Sequence, residues 1–359
     1  MTAHIAAVST ALPPAVEQTT LWEQHFRHVP HNSRLAGRIF NGAGVRQRHT
    51  VANPLEVDVS SYSTGERMRL YNEHARPLGH EAVTNALAAA NLTAADVGQL
   101  TVVSCTGYTA PGLDVQLAAS LDLAPDAQRL MIGHMGCYAA LPGLATVTDF
   151  VALHRRPAVL LCLELTSLHV QPSTSDIQDV VSHALFGDAA TALVVRPGAG
   201  PLEFLGTRAV TDASAADHLT WTVTDRGFRM TLSPRVPDVL GKHVRHAVET
   251  LLADHGLTVP DVRGWAVHPG GPRILDTVGQ ELGLPSDAME PSRHVLRENG
   301  NCSSPTVLMV LDELLRGSAL RQGDPVVAMA FGPGLTLYVT LLRATGQAAD
   351  APSELDASG

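Results

Sequence analysis

Short apolar runs recur along the chain, and most of them end at small or turn-forming residues. Runs of about four to eight residues rich in Val, Leu and Ile are typical of β-strands covered on both faces. They predict strands at 5–12, 100–105, 129–132, 158–163, 189–195, 202–210, 221–232, 264–268, 326–331 and 335–342.

Between these runs lie segments with the apolar spacing of amphipathic helices. This spacing predicts helices within 15–50, over 80–90 and 114–121, in the apolar stretch after residue 137, over 237–255 and after residue 304. Residues 51–75 are polar and are predicted to be irregular. Because strands and helices alternate, the pattern favours an α/β fold.

A Pro- and Gly-rich break at 196–201 divides the pattern into two halves of similar style. The sequence therefore predicts an N-terminal lobe over 1–198 and a C-terminal lobe over 199–346. The segment 347–359 is rich in Ala, Asp, Ser and Pro, which predicts a disordered tail.

Composition narrows the classes of function. The 359 residues include 45% hydrophobic and 17% charged residues, which is typical of a globular protein. A net charge of −10 argues against a general nucleic-acid binder. The four cysteines form no CxxC pair, so neither a zinc site nor a disulfide framework is predicted, and a reducing cytoplasm is expected. Neither a signal peptide nor a membrane span is predicted.

The first candidate for chemistry is Cys137, which stands between small residues after one apolar run and before another. Gly133 and Gly136 allow the sharp strand-to-helix turn on which a nucleophile is presented. A cysteine at the start of a helix also gains from the helix dipole, which favours the thiolate. The competing interpretation is an inert buried cysteine.

Two further polar residues stand at similar places in the second half. His268 ends a predicted strand, and Asn301 precedes a predicted helix. Alone, each fits an ordinary capping role. Together with Cys137, they favour a nucleophile, a base that would pair with it as imidazolium, and a hydrogen-bond donor to a thioester oxygen.

Five stretches around these residues carry a resemblance to the type III polyketide synthases, the chalcone synthase-like branch of the thiolase superfamily. They are Gly136-Cys137, 184–188 (ALFGD), 268–272 (HPGGP), 300–304 (GNCSS) and 331–334 (FGPG). The resemblance extends from about residue 5 to residue 342. It implies a thiolase-like fold of two βαβ lobes in five layers, α-β-α-β-α.

The resemblance also implies an acyltransferase that holds an acyl-CoA starter on Cys137 and extends it with malonyl-CoA. Cys137, His268 and Asn301 would be the catalytic residues. Neither a metal nor a bound cofactor is implied. The partners would be CoA thioesters and a second copy of the chain in a homodimer.

The resemblance also implies roles for further residues, in the motifs and at aligned positions outside them. Phe186 would be a gate between the CoA tunnel and the cavity, and the other substrate-binding positions would be His169, Trp221, Met230, Ser303, Gly332 and Pro333. The CoA-binding positions would be Arg38, Gly270, Gly271 and Arg273. Arg38 belongs to a cluster with Arg34, Arg46 and Arg48 in an otherwise acidic chain, which indicates either a solvated face or a docking patch for a phosphorylated cofactor.

The sequence constrains the identity of the product less than it constrains the type of reaction. Met230 replaces a second rigid aromatic gate with a flexible side chain, which favours an aliphatic starter and an alkylpyrone or alkylresorcinol product. Trp221 argues against a long tunnel unless its ring lines the wall. The alternatives are a malonyl-primed synthase of naphthalene or phloroglucinol type, an initiating ketoacyl-carrier-protein synthase, and a non-catalytic thiolase-like subunit.

Overall fold

The computed structural model describes residues 2–28, 33–172, 176–317 and 320–346, so the tail predicted at 347–359 lies outside the described residues. The strands are β1 (Ala3–Ala11), β2 (Ala15–Glu17), β3 (Gln47–His49), β4 (Gln99–Val103), β5 (Gln128–Ile132), β6 (Ala158–Glu164), β7 (Ala189–Pro197), β8 (Leu202–Thr211), β9 (Leu219–Thr224), β10 (Gly227–Leu232), β11 (Gly264–Val267), β12 (Pro325–Gly332) and β13 (Thr336–Ala344). The α-helices are α1 (Gln18–Gln24), α2 (Ser33–Gly42), α3 (Thr64–Ala89), α4 (Leu113–Ser120), α5 (Ala140–His154), α6 (Ile177–Leu185), α7 (Val236–Ala253), α8 (Pro272–Leu282), α9 (Glu290–Asn299) and α10 (Pro305–Gly317).

Nine of these strands hydrogen-bond in the order β11-β12-β13-β8-β1-β7-β6-β4-β5. The two halves of this sheet meet at β1 and β8, whose pairing is limited to His4 with Glu203 and Ile5 with Leu202. The predicted lobe boundary at 196–201 falls between β7 and β8, close to this seam. The strands β9 and β10 form a separate hairpin.

Alternate side chains of each half face different helices, which creates the layers. On β6, Leu161 packs in the core that contains α3, whereas Leu160 packs in the core that contains α5 and α10. On β12, Ala328 faces the same central core, and Val327 faces α7 and α8. The order is therefore helix, sheet, helix, sheet, helix, which confirms the predicted five-layer arrangement.

The central helix α5, with the turn before it, is very apolar. The segment Gly136–His154 is long and apolar enough to cross a membrane by length and composition, but 67% of it is buried inside the protein. It lies between the two halves of the sheet, so its hydrophobicity is that of a core helix.

The prediction that residues 51–75 are irregular and that a helix starts near residue 80 was wrong, because α3 begins at Thr64. Ser63 accepts a hydrogen bond from the backbone N–H of Glu66, and the Glu66 carboxylate accepts one from the N–H of Ser63. This reciprocal capping box satisfies two backbone donors at the first turn. The Ser-x-x-Glu spacing was a usable signal in the sequence.

Candidate active site

Cys137 lies on a tight turn between β5 and α5. Gly136–Tyr138 form a single 3-10 turn, and α5 begins at Ala140. Gly136 has φ of 77°, and a Cβ there would lie 2.8 Å from Cδ of Pro333. Only glycine fits this conformation and this contact without strain. The turn leaves Cys137 7% exposed, at the edge of two cavities.

The loop after β12 packs directly on the backbone of this turn. A Cβ on Gly332 would lie 2.9 Å from the Tyr138 ring and 3.3 Å from the Cys137 backbone nitrogen. Gly332 therefore supports the nucleophile from behind, and Pro333 lines the small cavity beside Cys137. This explains the need for glycine in the 331–334 motif.

His268 directly follows β11, and its backbone N–H donates to the carbonyl of Met329 at 2.8 Å. The ring meets Phe331 edge-on, with 5.5 Å between ring centroids. The residue is 1% exposed, and neither ring nitrogen has a hydrogen-bond partner within the part of the chain that the structure describes. Unpaired buried ring nitrogens are costly in a core, so they favour a role toward a ligand.

Asn301 is held beside the gate residue by its backbone. Its N–H donates to the Leu185 carbonyl at 2.8 Å, and its carbonyl accepts from the Gly187 N–H at 3.1 Å. The side-chain Oδ1 accepts from the Ser303 N–H at 2.8 Å. Because the amide oxygen is occupied in this way, the amide NH₂ is the group that remains to donate to a substrate.

The structure brings these three residues to one cavity of about 520 Å³, here called the outer cavity. Cys137, His268 and Asn301 all line it, although they come from the two different halves of the fold. Its size is within the usual range for a small-molecule site.

Burial determines the protonation of the two titratable groups. It raises the pKa of the Cys137 thiol to about 12, an effect that a hydrogen bond from Ser303 partly offsets. It lowers the pKa of His268 to about 3. Burial by itself thus favours a thiol and a neutral imidazole, whereas the position of Cys137 and His268 in the sequence led us to expect a thiolate beside an imidazolium. A neutral imidazole is the form that can accept the thiol proton.

Two smaller cavities lie beyond the nucleophile. The inner chamber, about 30 Å³, is lined by Cys105, Cys137, Trp221 and Ser303 among others. The side chamber, about 50 Å³, is lined by His169, Trp221 and Phe228 among others. Phe186 and Met230 line all three cavities, so these two side chains stand where the cavities meet.

Trp221 is fixed in the wall between the inner and side chambers. Its Nε1 donates to the Cys105 carbonyl at 2.9 Å. Its ring meets His169 and Phe228 edge-on, at centroid distances of 5.8 and 6.2 Å. His169 in turn stacks on Phe228 at 4.5 Å, and its Nδ1 accepts from the Phe228 N–H. This cluster forms a rigid aromatic wall.

The predicted CoA-binding positions line the mouth of the outer cavity. Arg38, Gly270, Gly271 and Arg273 all contribute to it, and both arginines are exposed. Gly271 directly precedes α8, so backbone N–H groups at the start of that helix lie at this mouth.

The rest of the arginine cluster has other contacts. Arg46 pairs with Glu17 and Glu298 on the surface. Arg48 is 4% exposed and donates to the carbonyls of Ala184 and Phe186. The expectation that these arginines form one docking patch was therefore wrong for Arg48, which is buried.

Glu164 is a buried carboxylate near the site that the sequence analysis did not predict. It accepts hydrogen bonds from the Cys105 N–H at 2.9 Å, from the Thr106 hydroxyl at 2.7 Å and from the Ser304 hydroxyl at 2.9 Å. Burial raises its pKa, and these hydrogen bonds oppose the shift. A carboxylate at the end of an otherwise apolar strand was the available signal.

Comparison with known proteins gives the same family on both halves of the chain. Residues 1–201 match the N-terminal domain of chalcone and stilbene synthases, and residues 210–346 match the C-terminal domain. The 1,3,6,8-tetrahydroxynaphthalene synthase of Streptomyces peucetius subsp. caesius is 35% identical over 350 residues, covering 94% of this chain and 92% of the relative. An alpha-pyrone synthesis polyketide synthase-like protein of Mycobacterium tuberculosis is 32% identical over 314 residues, covering 84% of this chain and 80% of the relative.

Solved structures agree with this similarity. The 1,3,6,8-tetrahydroxynaphthalene synthase of Streptomyces coelicolor A3(2), a bacterial type III polyketide synthase, superposes with a TM-score of 0.90 at 27% identity, covering 96% of this chain and all of that one. PKS-I of the brown alga Ectocarpus siliculosus gives a TM-score of 0.89 at 27% identity, covering 96% of this chain and 98% of that one.

Proposed function

Because the chain belongs to the chalcone and stilbene synthase family and is a type III polyketide synthase, we propose that Cys137, His268 and Asn301 are its catalytic residues. The enzyme condenses malonyl-CoA iteratively. The observation that carries the assignment is the convergence of a buried thiol, an unpaired imidazole and an oriented amide on one cavity.

In the loading step, His268 accepts the Cys137 proton as the sulfur attacks the carbonyl carbon of the acyl-CoA thioester. The bond from that carbon to the CoA sulfur breaks, and CoA leaves as a thiol with the proton from His268. The negative oxygen formed in between accepts hydrogen bonds from the Asn301 amide and the imidazolium. The neutral resting pair supports this order of events, since the proton moves within the site.

In the extension step, malonyl-CoA loses CO₂ from its terminal carboxylate, and the electron pair becomes an enolate on the acetyl-CoA unit. His268 and Asn301 donate hydrogen bonds to that enolate oxygen. The enolate carbon then attacks the acyl group on Cys137, whose thiolate departs. Donors fixed before reaction cost no reorganisation when the charge develops.

The cavity supports a short starter more than a long one. The two chambers beyond Cys137, about 30 and 50 Å³, hold only a few waters each at roughly 10–15 Å³ of accessible volume per water. Trp221 lies between them and is held there by its hydrogen bond to the Cys105 carbonyl and by its ring contacts. We therefore propose malonyl-CoA or a short acyl-CoA as starter, and a compact aromatic or pyrone product. An alkylpyrone or alkylresorcinol with a long chain, which the flexible Met230 led us to expect, requires Trp221 to move.

The mouth of the outer cavity supports the remaining assignments. Arg38 and Arg273 bring positive charge to it, and Gly270 and Gly271 allow close approach before α8, so we assign all four to the CoA phosphates and arm. Phe186 and Met230 act as the gate between this mouth and the inner chambers.

Assembly and compartment are also proposals. β5 is the edge of the nine-stranded sheet, and its residues are exposed or half-buried, with Leu130 and Met131 each 37% exposed. Tyr108 nearby is 69% exposed. An apolar edge strand requires a cover, which supports a homodimer through this edge. Four buried, unpaired cysteines support a reducing cytoplasm.

The test is incubation of the pure enzyme with malonyl-CoA alone, then with acetyl-, hexanoyl- or dodecanoyl-CoA added, with products identified by mass. We expect a product from malonyl-CoA alone or with acetyl-CoA. A dominant dodecanoyl-derived product would overturn the proposed starter, and absence of any condensation would overturn the proposed activity.

A further inference from the structure

The β9–β10 hairpin forms one wall of all three cavities, yet it belongs to neither half of the main sheet. Its inward side chains include Trp221 and Met230, which face each other directly across the hairpin. No strand of the main sheet pairs with it. Its turn is anchored to the start of α3, where the Thr64 N–H donates to the Asp225 carbonyl at 2.9 Å, and side-chain contacts position the rest. The contacts on its other face are therefore important for the cavity.

Arg229 makes a charged contact with two carboxylates on that face. Its Nη2 donates to Asp176 at 2.6 Å and to Asp179 at 3.1 Å, and its Nε donates to the second oxygen of Asp179 at 3.2 Å. Beside it, the Leu232 N–H donates to the Gln178 side chain at 2.8 Å. All three acceptor residues lie at or within the first turn of α6.

This ion pair differs from an ordinary surface pair. Asp179 is 3% exposed and lines the side chamber, and Arg229 binds it through two parallel hydrogen bonds. A two-point guanidinium–carboxylate contact fixes direction as well as distance. A carboxylate buried to this degree is strongly destabilised when its cation is removed.

The helix α6 connects this contact to the gate. It begins after Asp176 and ends at Leu185, so Phe186 directly follows its last turn. Arg229 directly precedes Met230. The same ion pair therefore joins the element that carries Phe186 to the element that carries Met230, and these two side chains stand where the three cavities meet.

We propose that Arg229, with Asp176 and Asp179, is a clamp that holds the hairpin against α6 and so sets the width of the passage between Phe186 and Met230. The clamp is a positioning device that selects starters by size, and it touches no reacting atom. This inference rests on the proposed function, because the passage is the route of the acyl group to the inner chambers.

The test compares Arg229→Met, which removes the charge and keeps the length, with Arg229→Lys, which keeps the charge and loses the two-point geometry. The matched control is Arg208→Met, which breaks a surface pair with Asp254 (2.7 Å) away from the cavities. The readout is the ratio of kcat/KM for hexanoyl-CoA to that for acetyl-CoA, at fixed malonyl-CoA.

We expect this ratio to rise about tenfold in Arg229→Met, as the loss of a partly buried ion pair allows, and to rise less in Arg229→Lys. It should stay within about twofold in Arg208→Met. A ratio unchanged in Arg229→Met would overturn the clamp, because a purely structural role lowers both rates together and leaves their ratio constant.

A second measurement separates this inference from the proposed function. Hydrogen exchange of the backbone amides in 219–232 should be about tenfold faster in Arg229→Met than in the wild type or Arg208→Met. That result is expected even if no starter is accepted. Unchanged exchange in an active enzyme would overturn the clamp alone. An inactive wild type with faster exchange in Arg229→Met would overturn the proposed function and the selection of starters, but not the hold of Arg229 on the hairpin.

Discussion

Replacing Trp221 with alanine tests the proposal that this side chain limits the starter. The substitution removes the indole that separates the inner and side chambers, together with its hydrogen bond to the Cys105 carbonyl. The two chambers should then merge with the space vacated by the indole. A starter chain could enter this space without displacing the wall.

The size of the gain follows from burial of methylene groups. Each CH₂ that leaves water contributes about 0.8 kcal/mol, which is roughly a fourfold gain in kcat/KM. Two or three additional methylenes should therefore raise kcat/KM for hexanoyl-CoA relative to acetyl-CoA by about 15- to 60-fold. Loss of a half-buried tryptophan should also destabilise the fold, by less than the roughly 3–5 kcal/mol typical of a fully buried one.

The assay measures kcat/KM for acetyl-, butyryl-, hexanoyl- and octanoyl-CoA in the wild type, Trp221→Ala and Trp221→Phe. Phenylalanine loses the hydrogen bond but retains most of the volume, so it separates anchoring from space. We expect a rising series in Trp221→Ala and a nearly flat one in Trp221→Phe. The reasoning is refuted if Trp221→Ala gains nothing with chain length, or if the wild type already prefers octanoyl-CoA.

Three further predictions follow from burial and close contact. Burial lowers the pKa of His268 to about 3 and that of His169 to about 4, from 6.5. The unfolded chain therefore binds more protons below pH 6.5, so the free energy of unfolding should fall by about 2 kcal/mol per histidine between pH 7 and 5. Urea titrations should show a fall about 2 kcal/mol smaller in His268→Gln, and an equal fall would contradict this pKa. Iodoacetamide should alkylate Cys137 at a rate nearly constant from pH 6 to 9 in the wild type, because the proton moves to His268 within the site. In His268→Ala the rate should be lower and rise with pH; the same profile in both would exclude His268 as the base. Gly332→Ala should lower kcat about 10- to 100-fold by pushing on the Cys137 turn, whereas Gly279→Ala, where a Cβ meets nothing within 4 Å, should retain activity; equal activities would refute the support role of Gly332.

The sequence was sufficient for the elements and motifs that depend on local chemistry. Apolar runs located the strands of the main sheet, and glycines located the turn at Cys137. The apolar runs also predicted strands covered on both faces, whereas the five-layer order came from the resemblance carried by the motifs. The start of α3 was not predicted, although the Ser-x-x-Glu spacing of its capping box at Ser63 and Glu66 is present in the sequence. The polar composition of 51–75 favoured an irregular segment instead.

What could not be predicted depends on contacts between distant residues. The hydrogen bond from Trp221 to the Cys105 carbonyl joins positions 116 residues apart, and no local pattern encodes it. A Cβ added to Gly187 would lie 2.5 Å from the carbonyl oxygen of Asn299, and this close contact is also visible only in three dimensions. The effect of burial on the pKa values of Cys137 and His268 could not be read from the sequence, since their positions alone suggested an ion pair.

The central claim, that Cys137 carries the growing chain, is tested most directly by trapping the acyl-enzyme. The wild type is incubated with acetyl-CoA or malonyl-CoA, quenched in acid, digested, and mapped by mass. We predict an acyl group on the peptide that contains Cys137, no acyl group on Cys105, Cys162 or Cys302, and neither adduct nor polyketide with Cys137→Ala. An acyl group on another cysteine, or condensation by Cys137→Ala, would contradict the account.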